Sequence, residues 1–352
     1  MSDLPLPPFD DADVRRAVSH VEASSWARLR QQRIFVTGGT GFVGKWLLAT
    51  LQEARQTFDL DCDILVLSRD PEGFRHHAPG IATADGVRLL QGNVLDFEFP
   101  AGEFGVVLHA AADVAPSATP IQTFETCLSG TRRVLDLGAR ARTHSVLYVS
   151  SGAVYGRQPT DLAEIAEDYG GSPVVGSVQS AYGHGKRAAE WLTAAYAAEH
   201  GFRAVTARLF AFLGPGMPLD GHFAIGNFMR DAMAGAPIVI RGDGTARRSY
   251  LHAADMAGWI WKILLDGRAG EAYNVGGSEV VSMAELAGRV ASLIGTVPGV
   301  EVRGVAAAGL SADRYVPDVS KARSELGLGA PWSLDESIRR TGAWHRKAAP
   351  PP

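Results

Sequence analysis

Cysteine is nearly absent from this 352-residue chain, which has only Cys62 and Cys127. Two thiols exclude a disulfide framework and argue against a Cys-based zinc site, so both read as structural groups and no metal centre is expected. A charge excess of one sign is also missing. With 34 Lys and Arg against 38 Asp and Glu, the formal net charge is -4, which offers no basic field to a nucleic-acid backbone or an anionic membrane. No apolar run approaches the roughly 18 residues that span a bilayer. The start, Met1-Ser-Asp-Leu-Pro5, lacks the basic-then-apolar pattern of a secretory signal. The expectation is a cytoplasmic protein that binds neither nucleic acid nor membrane and meets any anion with local residues.

What is present is ordinary globular material, 46% hydrophobic and long enough for one large or two moderate domains. Residues 1–32 carry Pro5, Pro7 and Pro8, then a helical pattern from Asp11 to Arg30 with apolar Val14, Val18, Val21, Trp26 and Leu29, and read as a docked N-terminal arm. From Arg33 onward short apolar runs alternate with amphipathic helices: Ile34 to Val36, Ile64 to Leu67, Val87 to Leu90, Val106 to Leu108 and Val146 to Val149 are the runs. Lys45 to Arg55, Ile121 to Arg140 and Ala181 to His200 are the helices between and after them. Such alternation implies crossover units and a parallel sheet. Beyond Arg208 the pattern changes to loops, a helix from Phe223 to Met233, and a strand and helix from Ser249 to Leu265, as a smaller lobe would produce.

Glycine marks the first crossover. Strand Arg33 to Val36 runs into Thr37-Gly-Gly-Thr-Gly-Phe-Val-Gly44 and then into a helix. Gly38 and Gly41 let the backbone approach a pyrophosphate, Gly44 lets helix and strand pack closely, and the helix N-terminus presents free N–H groups to an anion. Strand, turn and helix in register point to a nucleotide site.

A second constellation sits at Ala181-Tyr-Gly-His-Gly-Lys186. Tyr182 and Lys186 are four apart at a helix start and share a face. A phenol near its ordinary value of about 10 is a poor base at neutral pH, but a nearby positive charge such as a lysine ammonium favours the phenolate. Tyr182 can then exchange a proton with a substrate hydroxyl. His184, between them, belongs on another face. Val149-Ser150-Ser151-Gly-Ala-Val-Tyr-Gly156 ends the fifth strand with hydroxyls where open parallel sheets bind ligands.

From about Arg33 to about Trp344 these segments resemble the extended short-chain dehydrogenase/reductase family, the NAD(P)-dependent nucleotide-sugar epimerase/dehydratase group. The resemblance implies an α/β fold, a Rossmann-type doubly wound parallel sheet with a smaller C-terminal substrate-binding lobe. It divides the chain into the arm (1–32), a dinucleotide-binding domain (33–207, with 248–275 returning to it), a substrate lobe (208–247 and 276–346) and a disordered tail (347–352). Ser151 becomes the serine that orients the reacting oxygen beside Tyr182 and Lys186, while Ser150 is structural. The cofactor would rest on Gly38, Thr40, Gly41, Phe42, Val43 and Gly44, on Asn93 and Val94 beside adenine, on Ala110 and Ala111, and on Tyr182 and Lys186. His109, ahead of those alanines, reads as a hydrogen-bonded core histidine. At the end of the second strand, Ser68 and Arg69 could hold a 2'-phosphate, which tilts the choice to NADP(H), while Asp70 keeps NAD(H) open.

For the substrate, the resemblance places Arg248 and Arg314 on a diphosphate and Phe223 and Asn227 at the base or sugar, with Ser151 also touching substrate. Gly152 and Ala153 stand where sugar dehydratases carry an Asp-Glu pair, so elimination of water lacks its acid and base. Arg208-Leu-Phe-Ala211 lacks the Asn of the Arg-x-Phe-Asn segment common in epimerases. The first reading is a ketoreductase acting at C4 of a keto-sugar nucleotide. The alternatives are a C4 epimerase that retains NAD and a dinucleotide sensor without catalysis. By resemblance, the helices Ile121 to Arg140 and Ala181 to His200 would pair with their copies in a homodimer, unless Leu128, Leu135, Leu192 and Tyr196 pack only within their own subunit.

Overall fold

The computed structural model describes residues 5–112, 118–221, 223–295, 299–305 and 312–348. The arm forms α1 (Asp11–Ser19), capped by the Asp10 carboxylate on the Ala12 N–H, and α2 (Ala23–Trp26). It is therefore two short helices and a final tight turn, not one helix to Arg30. The break follows from Trp26, which is fully buried and donates its Nε1–H to the Val18 carbonyl. Eight residues of unbroken helix would hold those two about 12 Å apart.

There follow β1 (Arg33–Thr37), α3 (Phe42–Phe58), β2 (Asp63–Ser68), α4 (Pro71–His77), α5 (Pro79–Ala82), β3 (Val87–Gln91), β4 (Val106–His109), α6 (Pro120–Arg140), β5 (Ser145–Ser151), α7 (Ala181–His200) and β6 (Arg203–Leu209). Next come β7 (Ala211–Leu213), α8 (Ala224–Met233), β8 (Ile238–Ile240), β9 (Arg247–His252), α9 (Ala253–Asp266) and β10 (Ala272–Val275). The chain ends with β11 (Val280–Ser282), α10 (Met283–Ile294), β12 (Val300–Val302), β13 (Arg314–Tyr315), α11 (Ser320–Leu326) and α12 (Leu334–Ala348).

Seven of these strands form one parallel sheet in the order β3-β2-β1-β4-β5-β6-β10. Its strands read as continuous apolar runs because both faces are covered. Ile34, Val36, Leu147 and Val149 meet α3 and α9 on one face, while Phe35, Val107 and Val146 meet α6 and α7 on the other. This is a Rossmann-type doubly wound sheet, and the strand order reverses between β1 and β4, where such sheets bind ligands beyond the carboxyl ends.

A second core of Leu213, Ile225, Phe228, Met229, Ile240, Val281, Leu286, Val290 and Ile338 gathers α8, α10 and the start of α12 into the smaller lobe. Of residues 248–275, α9 and β10 lie with the large sheet, but β9 does not. It pairs with β7, β11 and β13 instead. Lys347 and Ala348, expected in a disordered tail, close α12, whereas 349–352 lie outside the described residues. Among the described residues no helix is long and apolar enough to cross a membrane.

Candidate active site

The glycine turn lies at the β1/β4 crevice. Gly38 has φ +71, and a Cβ there would meet Ala110 C at 2.5 Å and Ala111 N at 2.6 Å. A Cβ on Gly44 would stand 2.2 Å from the Gly38 oxygen. These positions admit only glycine if the turn is to keep its shape. Helix α3 starts at Phe42, earlier than the sequence pattern suggested, and its N-cap is Gly41, whose missing side chain leaves the first-turn N–H groups uncapped. Free amides, a favourable dipole and no side chain in the way fit a pyrophosphate. Thr40 is half-buried beside them. Thr37 Oγ1 accepts the Ala111 N–H at 3.2 Å and lies 2.6 Å from His109 Nδ1, while His109 Nε2 lies 2.9 Å from Thr131 Oγ1. Burial, aided by the Lys186 charge, pulls His109 down to about 3, so it is a neutral core histidine.

The two segments expected around adenosine are partly committed to their own turns. The Ser68 hydroxyl accepts the Asp70 N–H at 3.1 Å, and Asp70 caps α4 by accepting the Gly73 N–H at 2.9 Å. Arg69 is exposed at the same edge. Asn93 Oδ1, the atom expected at adenine, accepts the Leu95 N–H at 3.1 Å, and Val94 is buried against the sheet.

Ser151, Tyr182 and Lys186 come together at the carboxyl end of β5. Lys186 is buried, donates to the Val149 carbonyl at 2.7 Å and lies 5.9 Å from the Tyr182 ring centre. Burial pushes the Tyr182 hydroxyl well above its ordinary range, Cys127 and Tyr315 add to this, and the Ser151 hydroxyl pulls the other way. Burial likewise pulls Lys186 down, against the nearby Cys127 and Glu190. The expected phenolate is thus opposed by the fold itself, and an added positive charge is what Tyr182 lacks. Ser150 Oγ donates to Glu190 instead of facing the site. His184 turns away, onto a groove with Ile121 and Trp191.

Two residues of the site escaped the sequence reading. Tyr315, next to the expected Arg314, brings its hydroxyl to 3.5 Å from Ser151 Oγ. Asp313 binds Arg248, with Arg248 Nη2 at 2.7 Å from its Oδ2. Adjacency to Arg314 was a signal for both; their pairing across 65 or more residues had none. β9 and β13 lie side by side, Arg247 opposite Arg314 and Arg248 opposite Tyr315. The two expected arginines therefore share one small sheet, and the Arg314 side chain makes no hydrogen bond or ion pair among the described residues. Phe223 is exposed at the start of α8, and Asn227 donates to the Gly221 carbonyl at 3.0 Å.

A model of the NAD dependent epimerase/dehydratase family matches residues 34–276. The chain belongs to that family. UDP-glucuronic acid decarboxylase 6 of Arabidopsis thaliana is 29% identical over 87% of this chain and 86% of its own length. A dTDP-glucose 4,6-dehydratase of Streptomyces niveus is 29% identical over 89% of this chain and 93% of its own. Among solved structures, a dTDP-glucose 4,6-dehydratase of Streptomyces venezuelae with NAD bound has a TM-score of 0.76 at 26% identity, covering 90% of this chain and 97% of that one. The family match makes this chain an enzyme of an NAD-dependent epimerase/dehydratase family, and the two relatives are named for nucleotide-sugar substrates. The tilt to NADP(H) read from Ser68 and Arg69 finds no support in a family described by NAD and in structures that hold NAD.

Proposed function

We propose that this chain oxidises and re-reduces C4 of a nucleoside diphosphate sugar with one retained NAD, releasing the C4 epimer. The observation that carries this reading is Ser151, Tyr182 and Lys186 together at the end of β5, with Gly152 and Ala153 rather than carboxylates at the two positions after Ser151. Residues 33–207, with α9 and β10, would hold the dinucleotide, and the second core with the small sheet would form the substrate lobe. When bound, NAD would take and return the hydride and place a positive ring beside Tyr182. Tyr182 then removes the proton of the sugar hydroxyl and gives it back, Ser151 orients that oxygen, and Lys186 supplies charge from below. Arg314 meets the diphosphate with a fork able to bond two oxygens, and Arg248 joins it by exchanging Asp313 for phosphate. Phe223 and Asn227 flank the base or sugar.

The groove of about 760 Å³ on α6 and α7, lined by Ile121, Phe124, Val178, His184 and Trp191, supports a homodimer. Leu135 and Leu192 are buried within the subunit, and Leu128 and Tyr196 pack on the same core. The face left for a partner is thus Ile121 and Trp191, 76% and 71% exposed.

The purified protein, with no cofactor added, is incubated with UDP-, dTDP-, CDP- and GDP-sugars and followed by NMR, and the dinucleotide released on denaturation is identified. The epimerase reading expects retained NAD and conversion to the C4 epimer without net reduction. No epimerisation of any of these, with NADH- or NADPH-dependent reduction of a nucleoside diphosphate 4-keto-sugar, would overturn it in favour of the ketoreductase. UDP-glucuronic acid belongs in the panel, because C4 oxidation of a uronic acid gives a β-keto acid that loses CO2 without a further acid or base.

A further inference from the structure

Two successive residues of β5 are held by different turns of α7, and a third, Ser151, lies beside Tyr182. The Val149 carbonyl accepts from Lys186, the Ser150 hydroxyl donates to Glu190, and the Ser151 hydroxyl acts on Tyr182. Tyr182, Lys186 and Glu190 stand at i, i+4 and i+8 and so lie on one helix face. Glu190 is itself gripped by Arg208 of β6: Nη2 lies 2.8 Å and Nε 3.2 Å from Oε2, and Nε 3.1 Å from Oε1. Arg208 continues inward, donating to the Tyr155 hydroxyl at 2.8 Å and the Glu167 carbonyl at 3.0 Å. The Tyr155 hydroxyl donates to Asn274 Oδ1 at 2.8 Å, which ties β10 into the same network. Both members of the ion pair are largely buried, with side chains 13% and 16% exposed.

We propose that Glu190, locked by Arg208, is a positioning residue for the proton-transfer step: it fixes α7 in register on β5 and sets a carboxylate one turn from the Lys186 ammonium. The charged and titratable groups around Lys186 are few. They are Tyr182 and Glu190 on α7, Cys127 on α6, Tyr148 on β5 and His109 on β4. Glu190 is the one carboxylate acting on it among the described residues. Tyr182 faces Cys127, Tyr315, Ser151 and Lys186. Removing the Glu190 charge leaves a buried lysine whose surroundings favour the neutral amine, and a neutral amine gives the Tyr182 phenolate no support. This inference rests on the proton-transfer reading of Tyr182 and Lys186, but it is tested without substrate.

The chain has five lysines, Lys45, Lys186, Lys262, Lys321 and Lys347. Lysine labelled with carbon-13 at Cε therefore gives a spectrum in which Lys186 is assigned by comparison with Lys186→Arg, and its protonation is followed directly as pH is raised in the full chain with saturating NAD. Glu190→Gln keeps an acceptor for Ser150 and removes the charge. The proposal expects the Lys186 titration midpoint to fall by about one pH unit, a tenfold change in proton affinity. A midpoint within about 0.2 unit of the parent protein would overturn it. Glu190→Gln/Arg208→Gln, which also removes the buried Arg208 charge, carries the test if the single variant does not fold. Its Lys186 midpoint should stay lowered, and a return to the parent value would show that the unpaired Arg208 charge, not the lost carboxylate, had moved it. If epimerase activity is never found, the Lys186 titration still decides between these outcomes.

Discussion

Gly44→Ala would put a methyl group 2.2 Å from the Gly38 oxygen and 2.4 Å from Gly39 Cα. Both obstacles are backbone of the turn, so no side chain can swing aside. Restoring an ordinary contact beyond 3.4 Å requires the first turn of α3 to retreat by about an ångström. Overpacking of this kind costs about 1–3 kcal/mol. At ~2.1 cal/mol/K per residue, a chain of this length would then melt only about 1–4 °C lower. The dinucleotide suffers more, because the uncapped N–H groups of α3 move with the turn. Two lost bonds to charged phosphate, each ~1.5–3 kcal/mol, raise the dissociation constant of NAD by about 100-fold or more. Calorimetric NAD titration of the variant, alongside thermal melting, measures both effects. Gly80→Ala is the control, since a Cβ there has nothing within 4 Å. NAD affinity of Gly44→Ala within about threefold of the parent protein would refute the placement of the pyrophosphate on this turn.

Tyr182→Phe should lower kcat by about 10²–10⁴-fold while NAD affinity stays nearly unchanged, because the ring remains and only the proton-transfer hydroxyl goes; parent-like turnover would remove Tyr182 from the mechanism. Burial pushes Asp13 up to about 6 despite the Arg340 guanidinium 2.9 Å away. A folded-state value above the unfolded one gives stability that is complete below about pH 4 and lost as pH rises through 6. Relative to Asp13→Asn, the parent protein should therefore gain about 2 kcal/mol between pH 7.5 and pH 4, and a pH-independent difference in denaturant unfolding would contradict this. Trp191→Asp should convert a dimer of twice 37.4 kDa into a monomer by light scattering; a monomeric parent protein would dispose of the dimer.

The large sheet was legible because each strand is an unbroken apolar run and because Gly38, Gly41 and Gly44 sit where a strand becomes a helix. Tyr182 and Lys186 were legible for a similar reason: helical spacing is local and survives in the sequence. What escaped depends on pairing between distant segments. Asp313 neutralises Arg248, and Tyr315 reaches Ser151 across 164 residues. The Glu190–Arg208 pair links α7 to β6, although Glu190 lies one helical turn past Lys186 and that spacing was available. The break after α1 was missed because Trp26 fits a helical periodicity as well as it fits the turned-back position it occupies. The placement of β9 in the small sheet likewise turns on its partners β7, β11 and β13, which no local pattern announces.

The central claim is that the substrate is a nucleoside diphosphate sugar, and its most direct test needs no sugar. The nucleotide end should bind alone, because the proposal sets Arg248 and Arg314 against the diphosphate. Calorimetry on the NAD-filled protein with UDP, dTDP, CDP and GDP should show binding of at least one. Each charge-assisted contact contributes about 1.5–3 kcal/mol, so Arg248→Ala or Arg314→Ala should weaken that binding by about tenfold or more. Binding of none of the four by a folded protein with its dinucleotide site filled would contradict the account.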